Sequence, residues 1–324
     1  MKIINESEIQ KLYHMKHAVR DVENILRMIS AGRIINPHRT VIPVKDKNGS
    51  ILYMPCSDGN EFGAIKIVSI FPLNPEQNLP TTQGKILLTE LQNGEHLSLI
   101  DGSYLTRLRT GALSAISCKY LARQDSKTLA VIGTGAMAFE QVLGVLEILP
   151  IETILLVNRT PEKAQDFADR LARFGVKART EIVTDADKAV ANADVVCCAT
   201  RSTQDVFSAA AVKPGTHIMG VGSYLPEMRE IPVNLIPQAD AIYVDDLDGV
   251  KAEAGELIDA ENQGIWNFNK VTGSLNNLLD TPYNRKEDEI TIFKSVGAAH
   301  FDLAVAKGVY QLFQESGGNN LANA

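Results

Sequence analysis

The spacing of apolar residues predicts two kinds of structure in the first hundred residues. Between residues 7 and 30 the apolar residues recur every three or four positions, which predicts one amphipathic helix that begins at Asn5 or Ser7. Apolar and polar residues then alternate, as in half-buried strands, over four segments: residues 39–44, 50–54, 63–70 and 84–90. The N-terminal region is therefore predicted to be an α+β unit built on a strand meander.

From residue 101 onwards, helical patterns alternate with short apolar runs. Helices are predicted over residues 101–121 and 298–314, and the second is expected to pack back on the N-terminal unit. The apolar runs between them predict buried strands at residues 128–132, 153–157, 178–183, 194–200, 217–221, 241–245 and 289–296. Strands of this kind, separated by helices, imply a parallel sheet that is covered on both faces.

Together these patterns predict an α/β protein of two domains, as a length of 324 residues also suggests. A Rossmann-type doubly wound parallel sheet is predicted at residues 116–299. Residues 1–115 together with residues 300–324 are predicted to form a discontinuous α+β domain, interrupted in sequence by the first. The tail from Gly317 to Ala324 is expected to be disordered.

The turn after the first buried run carries a dinucleotide-binding fingerprint. Gly133, Gly135 and Ala138 form the pattern G-x-G-x-x-A between a predicted strand and a helical pattern. The first glycine permits the tight turn, the second lets a pyrophosphate approach the backbone, and the alanine lets the helix pack closely. The helix N-terminus then directs N–H groups at the phosphates. The pattern predicts nucleotide binding; the alternative is a purely structural strand–helix turn.

The end of the next strand bears on the choice of nucleotide. An NAD site usually has an acidic residue there, which binds the ribose 2′-hydroxyl. This chain has Asn158, Arg159 and Thr160 instead. Arginine can pair with a 2′-phosphate, and the amide and hydroxyl can donate to it. We therefore predict that NADP(H) is preferred and that NAD(H) is possible. The alternative is a solvent-exposed turn that opens the next helix.

Composition narrows the range of partners. The net charge of −7 argues against nucleic acid or an anionic membrane as the main partner. No apolar run reaches the roughly 20 residues of a membrane span, and the N-terminus lacks a signal-peptide core. The cysteines have no metal-type spacing and are expected to be reduced thiols: Cys56, Cys118, Cys197 and Cys198. These features predict a cytoplasmic protein without a metal site.

Arg109 is an unusual residue on the predicted helix over residues 101–121. It lies on one apolar stripe with Leu105, Ala112 and Ile116. A charged side chain on such a stripe must be paired or must bind something, because burying it alone is costly. Arg109 is therefore either a ligand-binding residue or half of a salt bridge to a core carboxylate.

With these pieces placed, the chain resembles the ornithine cyclodeaminase/mu-crystallin family over essentially its whole length. The matching segments, in order, are GAIKIVS at residues 63–69, LPTTQG at 79–84, LRTGA at 108–112, VIGTGA at 131–136, VGSYLPEMRE at 221–230 and KSVGA at 294–298. The resemblance implies a homodimer of two-domain subunits, in which the N-terminal unit binds the substrate and pairs across a two-fold axis. It also implies a small imino or amino acid as substrate.

The resemblance assigns roles to individual positions. The residues that hold the substrate carboxylate match Arg39, Lys66, Thr81 and Arg109. Cations that converge on a dry pocket suit a carboxylate on physical grounds as well; the alternative for Lys66 alone is a solubilising lysine on an edge strand. The cofactor residues match Gly133, Thr134, Gly135, Ala136, Asn158, Arg159, Thr200, Val221, Ser223 and Gly297. Thr160 joins this set on the physical grounds given above, because its hydroxyl can donate to a phosphate. Thr200 and Ser223 have the alternative role of capping strand ends.

Two departures from the family pattern bear on the subclass. Tyr224 follows the Val-Gly-Ser turn where cyclodeaminases and alanine dehydrogenases have an aspartate, and Tyr53 precedes Met54-Pro55 where a cyclodeaminase has an acid. A neutral phenol cannot pair with a distal ammonium group, although it can donate a proton. Tyr53 and Tyr224 are therefore predicted to line the nitrogen side of the substrate; the alternative is aromatic packing.

The sequence thus predicts an NAD(P)H-dependent imine reductase acting on a cyclic α-imino acid. The expected substrates are Δ1-pyrroline-2-carboxylate or Δ1-piperideine-2-carboxylate, reduced to L-proline or L-pipecolate, with Lys66, Arg109, Tyr53 and Tyr224 as the catalytic set. Three alternatives stay open: an ornithine cyclodeaminase, an enzyme like alanine dehydrogenase, and a protein like mu-crystallin that binds NADPH and a carboxylate ligand without turnover.

Overall fold

The computed structural model describes residues 1–317, so the predicted disorder after Gly317 lies outside the described residues. The chain separates into two compact units. The first comprises Met1–Arg109 and the segment from Ala298 onwards, and the second comprises Thr110–Gly297. No helix within residues 1–317 is long and apolar enough to cross a membrane.

The first unit is a six-stranded sheet with helices packed against it. The sheet order is β1-β6-β5-β4-β3-β2, in which β2 to β6 form an antiparallel meander and β1 pairs with β6 in parallel. The strands are β1 (Lys2–Ile4), β2 (Thr40–Val44), β3 (Gly49–Ser57), β4 (Phe62–Ile70), β5 (Thr82–Glu90) and β6 (His96–Asp101). The helices are α1 (Glu6–Leu12), α2 (Met15–Ser30) and α10 (Ala299–Glu315), while α3 (Gly102–Leu121) contains the boundary between the units.

The N-terminal helix predicted as one element is two. The break falls at Tyr13 and His14, both of which have extended backbone, and α2 begins at Met15. The Tyr13 side chain is buried, and its hydroxyl donates to Asp21 over 2.8 Å. The predicted cap at Asn5 is confirmed, because its side chain accepts the N–H of Glu8. Periodicity missed the break because apolar residues on either side of it keep nearly helical spacing.

Packing makes the two faces of this sheet different. Leu52 and Met54 on β3, Lys66 and Val68 on β4, and Ile86 on β5 are buried. These residues share one face, since each lies opposite the next across the ladder or two positions along its strand. The helix α10 packs against β3, β4 and β5. The face that carries Lys66 is therefore the covered one.

The second unit is an eight-stranded parallel sheet flanked by helices. Its order is β13-β12-β14-β11-β10-β7-β8-β9, and every strand pair in it is parallel. The strands are β7 (Thr128–Ile132), β8 (Thr153–Val157), β9 (Arg179–Ile182), β10 (Val195–Cys198), β11 (His217–Gly220), β12 (Ala241–Val244), β13 (Gly273–Ser274) and β14 (Thr291–Lys294). The helices are α4 (Ala136–Ile148), α5 (Pro161–Phe174), α6 (Ala186–Asn192), α7 (Leu247–Glu253), α8 (Gly255–Asn262) and α9 (Leu275–Asp280).

This architecture confirms the predicted α/β class. The chain leaves the first strand β7 towards β8 and β9 on one side, and then returns to add β10, β11 and later strands on the other. The direction therefore reverses between β7 and β10, which is where dinucleotides bind in folds of this kind, beyond the carboxyl ends of the strands. All four cysteines are free and buried, as the sequence predicted for thiols.

Candidate functional site

The first unit contains a buried ion pair on the covered face of its sheet. Lys66 lies in the middle of β4, and its ammonium is 2.6 Å from a carboxylate oxygen of Asp302 on the first turn of α10. The side chains of Lys66 and Asp302 are 4% and 2% exposed, so water screens this pair very little. A lysine surrounded by apolar strand residues thus has a partner from the other end of the chain.

Two arginines of the same unit act on this pair. The Arg109 Nε lies 3.6 Å from the second oxygen of Asp302, too far for a hydrogen bond but close enough for strong attraction. Burial lowers the pKa of Lys66 to about 8; Asp302 opposes this shift, and the charges of Arg109 and Arg39 add to it. The charge of Arg39 thus acts on Lys66 through space. We call Arg39, Lys66, Arg109 and Asp302 the cation cluster.

Several buried polar atoms at the cation cluster lack a hydrogen bond within the described part of the chain. They are Nε of Arg109, Oδ1 of Asp302 and both ring nitrogens of His300, two residues before Asp302 on α10. Burial lowers the pKa of His300 to about 3, so its ring is neutral at physiological pH. Buried polar groups in native proteins are nearly always hydrogen-bonded. Arg109 and Asp302 therefore retain the capacity to form hydrogen bonds with a further group.

The structure does not bring Thr81 or Tyr53 beside Lys66. Thr81 precedes β5, and Ile86 on β5 is the partner of Lys66. Thr81 lies five residues before Ile86, a separation of about 16 Å for an extended strand. Tyr53 is opposite Ile67, whereas Met54 is opposite Lys66, so Tyr53 points to the other face of the sheet. The register therefore gives no support to a contact between Tyr53 and a substrate held by Lys66 of the same subunit, and the role of Tyr53 stays a prediction. The spacing to Met54-Pro55 carried no information about which face Tyr53 occupies.

In the second unit, the fingerprint turn has the geometry that a pyrophosphate needs. Gly133 has a φ of +91°, and an added Cβ would lie 2.7 Å from Thr200, so only glycine fits there. Gly135 caps α4, and an added Cβ would meet no atom within 4 Å. The open space in front of Gly135, at the N-terminus of α4, fits the phosphates of a dinucleotide. Ala136 begins that helix, and Ala138 is fully buried in it.

The side-chain amide of Asn158 forms two hydrogen bonds at the end of β8. Asn158 donates to the hydroxyl of Thr134 over 2.7 Å and accepts the N–H of Thr160 over 2.9 Å. These two bonds join the Thr134 side chain of the fingerprint turn to the backbone at the start of α5, so Asn158 links the two segments. Arg159 and Thr160 are exposed beside it. They are the polar groups at this strand end that are open to a ribose or its 2′-phosphate.

The remaining cofactor candidates lie at the carboxyl ends of β10, β11 and β14. Thr200 is half-buried and follows β10, Val221 is buried and follows β11, and Gly297 has a φ of +83° and donates its N–H to Asp245 over 2.7 Å. The side chain of Ser223 is fully buried, and its hydroxyl bonds to Lys294 and to Glu256. These bonds support the loop from inside, and the assignment of Ser223 to the cofactor stays a prediction.

Tyr224 is half-buried and packs against the hydrophobic core of the second unit. This contact supports aromatic packing, the alternative considered for it from sequence, and gives no support to a proton-donating role. Neither tyrosine is thus placed by the structure as a reacting group.

Sequence reasoning missed Asp302. It is the one acidic side chain in the apolar stretch from residue 298 to residue 306. A charged side chain on an apolar helix needs a partner, and this holds for Asp302 as it does for Arg109. The two residues could have been paired on that ground. A carboxylate thus reaches the cations from α10, in agreement with the salt-bridge alternative considered for Arg109 from sequence.

Comparison with known proteins agrees with these features. The model of the ornithine cyclodeaminase/mu-crystallin family matches residues 1–317. The chain is 36% identical to a Δ1-pyrroline-2-carboxylate reductase of Bacillus cereus, over 99% of each chain. The structure is similar to that of Thermococcus litoralis Δ1-pyrroline-2-carboxylate reductase in complex with NADH and L-proline, with a TM-score of 0.94, 32% identity and 98% of each chain covered. It is also similar to an archaeal alanine dehydrogenase dimer with bound NAD, with a TM-score of 0.90, 29% identity, and 98% and 97% of the two chains covered. The chain belongs to the ornithine cyclodeaminase/mu-crystallin family.

Proposed function

We propose that this protein is an NAD(P)H-dependent reductase of cyclic α-imino acids, with Δ1-pyrroline-2-carboxylate or Δ1-piperideine-2-carboxylate as substrate. One observation carries the proposal. The cation cluster places the Lys66 ammonium and the Arg109 guanidinium beside one carboxylate, that of Asp302, and the Nε of Arg109 has no hydrogen-bond partner among the described residues. A substrate carboxylate would supply the missing charge and the missing acceptor. The relatives that reduce pyrroline-2-carboxylate support the same substrate class.

The cation cluster would fix the substrate by its carboxylate. A guanidinium can bind a carboxylate through two parallel hydrogen bonds, and the Lys66 ammonium can add a third. Asp302 keeps both cations oriented before the substrate arrives, which reduces the ordering that binding would otherwise require. Fixing the carboxylate also orients the adjacent C=N bond, because in an α-imino acid the carboxylate carbon is bonded directly to the imine carbon and the two π systems are conjugated.

The cofactor would be held by the second unit. The turn from Gly133 to Ala136 and the N-terminus of α4 suit its pyrophosphate, and Arg159 and Thr160 suit a ribose 2′-phosphate. When bound, the reduced nicotinamide supplies a hydride to the imine carbon. We propose that NADPH is preferred, because β8 ends without an acidic residue. NADH remains a usable donor.

Reduction also requires one proton on the substrate nitrogen. The hydride adds to carbon, the C=N π electrons move to nitrogen, and a proton there completes the secondary amine. Lys66 is the titratable group of the cluster with a pKa of about 8, so its ammonium releases a proton far more readily than an exposed lysine does. We assign Lys66 as the proton source for a substrate that arrives as the neutral imine.

The open face of the first sheet supports a homodimer. Ile42 and Ile67 are 47% and 41% exposed, and both lie on the face opposite Lys66, together with Tyr53. A family relative whose structure is known is a dimer. We propose that a second copy of this chain covers these residues.

A substrate panel tests the proposed function. NADPH and NADH oxidation would be measured with Δ1-pyrroline-2-carboxylate, Δ1-piperideine-2-carboxylate, and pyruvate with ammonia, and ammonia release would be measured from L-ornithine with NAD+. We expect the cyclic imines to be the best substrates and ornithine to release no ammonia. A faster rate with pyruvate and ammonia would identify an alanine dehydrogenase. Ammonia from ornithine at a comparable rate would identify a cyclodeaminase, and binding of NADPH without any turnover would identify a binding protein.

A further inference from the structure

The second unit holds a carboxylate that the reaction described above does not use. Glu230 is fully buried, and it lies eight residues beyond Gly222 in the loop that follows β11. One of its oxygens accepts the backbone N–H of Thr200. The other accepts the N–H groups of Gly222 and Ser223, over 2.8 and 2.9 Å. A single side chain therefore joins the backbone after β10 to the backbone after β11.

The two loops also touch directly at Gly222. A Cβ added there would lie 2.3 Å from both the nitrogen and the oxygen of Thr200, so the contact is possible only for glycine. The Thr200 side chain in turn lies where a Cβ on Gly133 would be. The turns after β7, β10 and β11 thus form one contiguous assembly at the carboxyl edge of the sheet, and Glu230 bonds to two of the three.

Charged groups of both signs act on the buried Glu230 carboxylate. Burial raises its pKa, the Lys294 ammonium opposes that shift, and the Glu256 carboxylate adds to it. Lys294 donates to the backbone oxygen of Ser223 over 2.8 Å and lies 3.0 Å from Glu256. Lys294 therefore secures the same loop from the side of β14. An ionised Glu230 fits its three donors, because a carboxylate accepts on both oxygens and donates on neither.

The sheet topology indicates which half of a bound dinucleotide would lie beside these loops. The strand order reverses between β7 and β10. In a doubly wound fold the adenosine half lies on the side of the first strands, here β7 and β8, and the other half extends past the switch point towards β10 and β11. We propose that Glu230 is a positioning residue for the nicotinamide half of the cofactor, which acts by fixing the backbone of the loops after β10 and β11. This proposal rests on the cofactor assignment made above.

The Glu230→Gln variant tests it, because glutamine keeps the shape but turns an N–H₂ group towards backbone N–H donors. Calorimetry would compare two ligands: the reduced dinucleotide that the wild type binds more tightly, and the matching ADP-ribose or 2′-phospho-ADP-ribose, which lacks nicotinamide. Loss of one or two charge-assisted bonds should raise the Kd of the whole dinucleotide about ten-fold or more. The Kd of the ADP-ribose should change by less than about two-fold, since its contacts are at β7 and β8.

Asp194→Asn is the matched control. Asp194 is also buried and also accepts two backbone N–H groups, those of Lys127 and Thr128, but it does so at the amino edge of the sheet. The Asp194→Asn substitution should lower the melting temperature without changing the Kd of the dinucleotide or of the ADP-ribose. If Glu230→Gln does not fold, Glu230→Asp serves instead, because the shorter carboxylate cannot reach both loops.

An equal loss of affinity for both ligands in the Glu230 variant, or no loss for either, would overturn the proposal. The same selective loss in Asp194→Asn would also overturn it. These readouts do not involve turnover. A wild-type protein that binds both ligands but reduces no imine would therefore contradict the proposed reaction while leaving the test of Glu230 intact.

Discussion

Asp302 and Lys66 are 236 positions apart in sequence, and their charged atoms lie 2.6 Å apart in the interior of the first unit. Such a pair is costly to bury and is weak evidence for stability on its own. Here it places one acid between Lys66 and Arg109, and it leaves one oxygen of that acid and one nitrogen of the arginine without hydrogen bonds inside the described chain. The relationship therefore has consequences that can be measured.

The first prediction concerns pH. The pKa of Lys66 is lowered from 10.5 to about 8, so its attraction for a carboxylate is present below pH 8 and is lost as pH rises through that value. The Kd of pyrrole-2-carboxylate, a planar analogue whose ring nitrogen does not titrate in this range, should therefore rise above about pH 8. In Lys66→Arg, whose guanidinium stays charged, the rise should disappear. The Kd of ADP-ribose over the same range is the control. A flat wild-type profile would show that Lys66 does not bind the carboxylate.

The second prediction concerns Asp302. Because its charge opposes the lowering of the Lys66 pKa, Asp302→Asn should move the alkaline rise in the Kd of pyrrole-2-carboxylate to a pH below 8. Breaking a buried pair should also cost on the order of 3–5 kcal/mol of unfolding free energy, measured in urea. The shift in pH separates the two roles of Asp302, since a purely structural residue would change the unfolding free energy alone.

The third prediction concerns the cations themselves. In Lys66→Ala and in Arg109→Ala, kcat/KM for the cyclic imine should fall by a factor that corresponds to a loss of ~2–4 kcal/mol in transition-state binding. The reason is that each substitution leaves the substrate carboxylate short of a partner. Lys307→Ala is a suitable control: Lys307 lies on α10 as Asp302 does, but pairs with Glu61 at the surface over 2.7 Å. A loss in Lys307→Ala as large as that in Arg109→Ala would show that the effect is not specific to the cation cluster.

The fold could be predicted from the sequence to a large extent. Most strands of the parallel sheet coincide with apolar runs, and only a weaker pattern marks β9, whose sequence is Arg-Thr-Glu-Ile. Their order along the chain with intervening helices leaves few possible topologies. The strands β1 and β6 were missed because β1 has three residues and the buried face of β6 carries the polar Ser98 beside Ile100. The break at Tyr13 was missed because a buried tyrosine with a hydrogen-bonded hydroxyl satisfies the helical pattern on both sides.

The candidate site could be predicted only in part. Motifs identified Lys66 and Arg109, because each is a charged residue among apolar neighbours. They also identified the fingerprint glycines, because these lie at a turn between a strand and a helix. The pairing of Lys66 with Asp302 could not be predicted, because it depends on how α10 packs on the sheet. The face of Tyr53 and the buried hydroxyl of Ser223 depend on strand register and on the loop after β11, which spacing does not specify. Glu230 was part of a quoted motif, but its partners are backbone atoms and leave no sequence pattern.

The fourth prediction concerns the cofactor. Arg159 is exposed at the end of β8, next to an Asn158 that is held by two hydrogen bonds. A charge-assisted contact to a 2′-phosphate contributes roughly 1.5–3 kcal/mol, so NADPH should bind about ten-fold or more tightly than NADH. Arg159→Ala should reduce that ratio. Arg173→Ala, at the opposite end of α5, should leave it unchanged, because that arginine is a helix length away. Equal affinities for the two cofactors in the wild type would contradict the prediction.

The fifth prediction concerns assembly through the open face of the first sheet. Ile67 is 41% exposed in the middle of β4, and Ile42 is 47% exposed on the neighbouring edge of the same face. Exposed apolar residues grouped in this way indicate a surface that another molecule covers. Sedimentation at micromolar concentration should give twice the monomer mass for the wild type, and Ile67→Asp should give the monomer, because a buried unpaired carboxylate is costly. The control is Ile182→Asp on β9 of the second unit, where Ile182 is 38% exposed, and it should remain a dimer. A wild-type protein that sediments only as a monomer would exclude this interface, and an Ile67→Asp variant that stays dimeric would place the contact on a different surface.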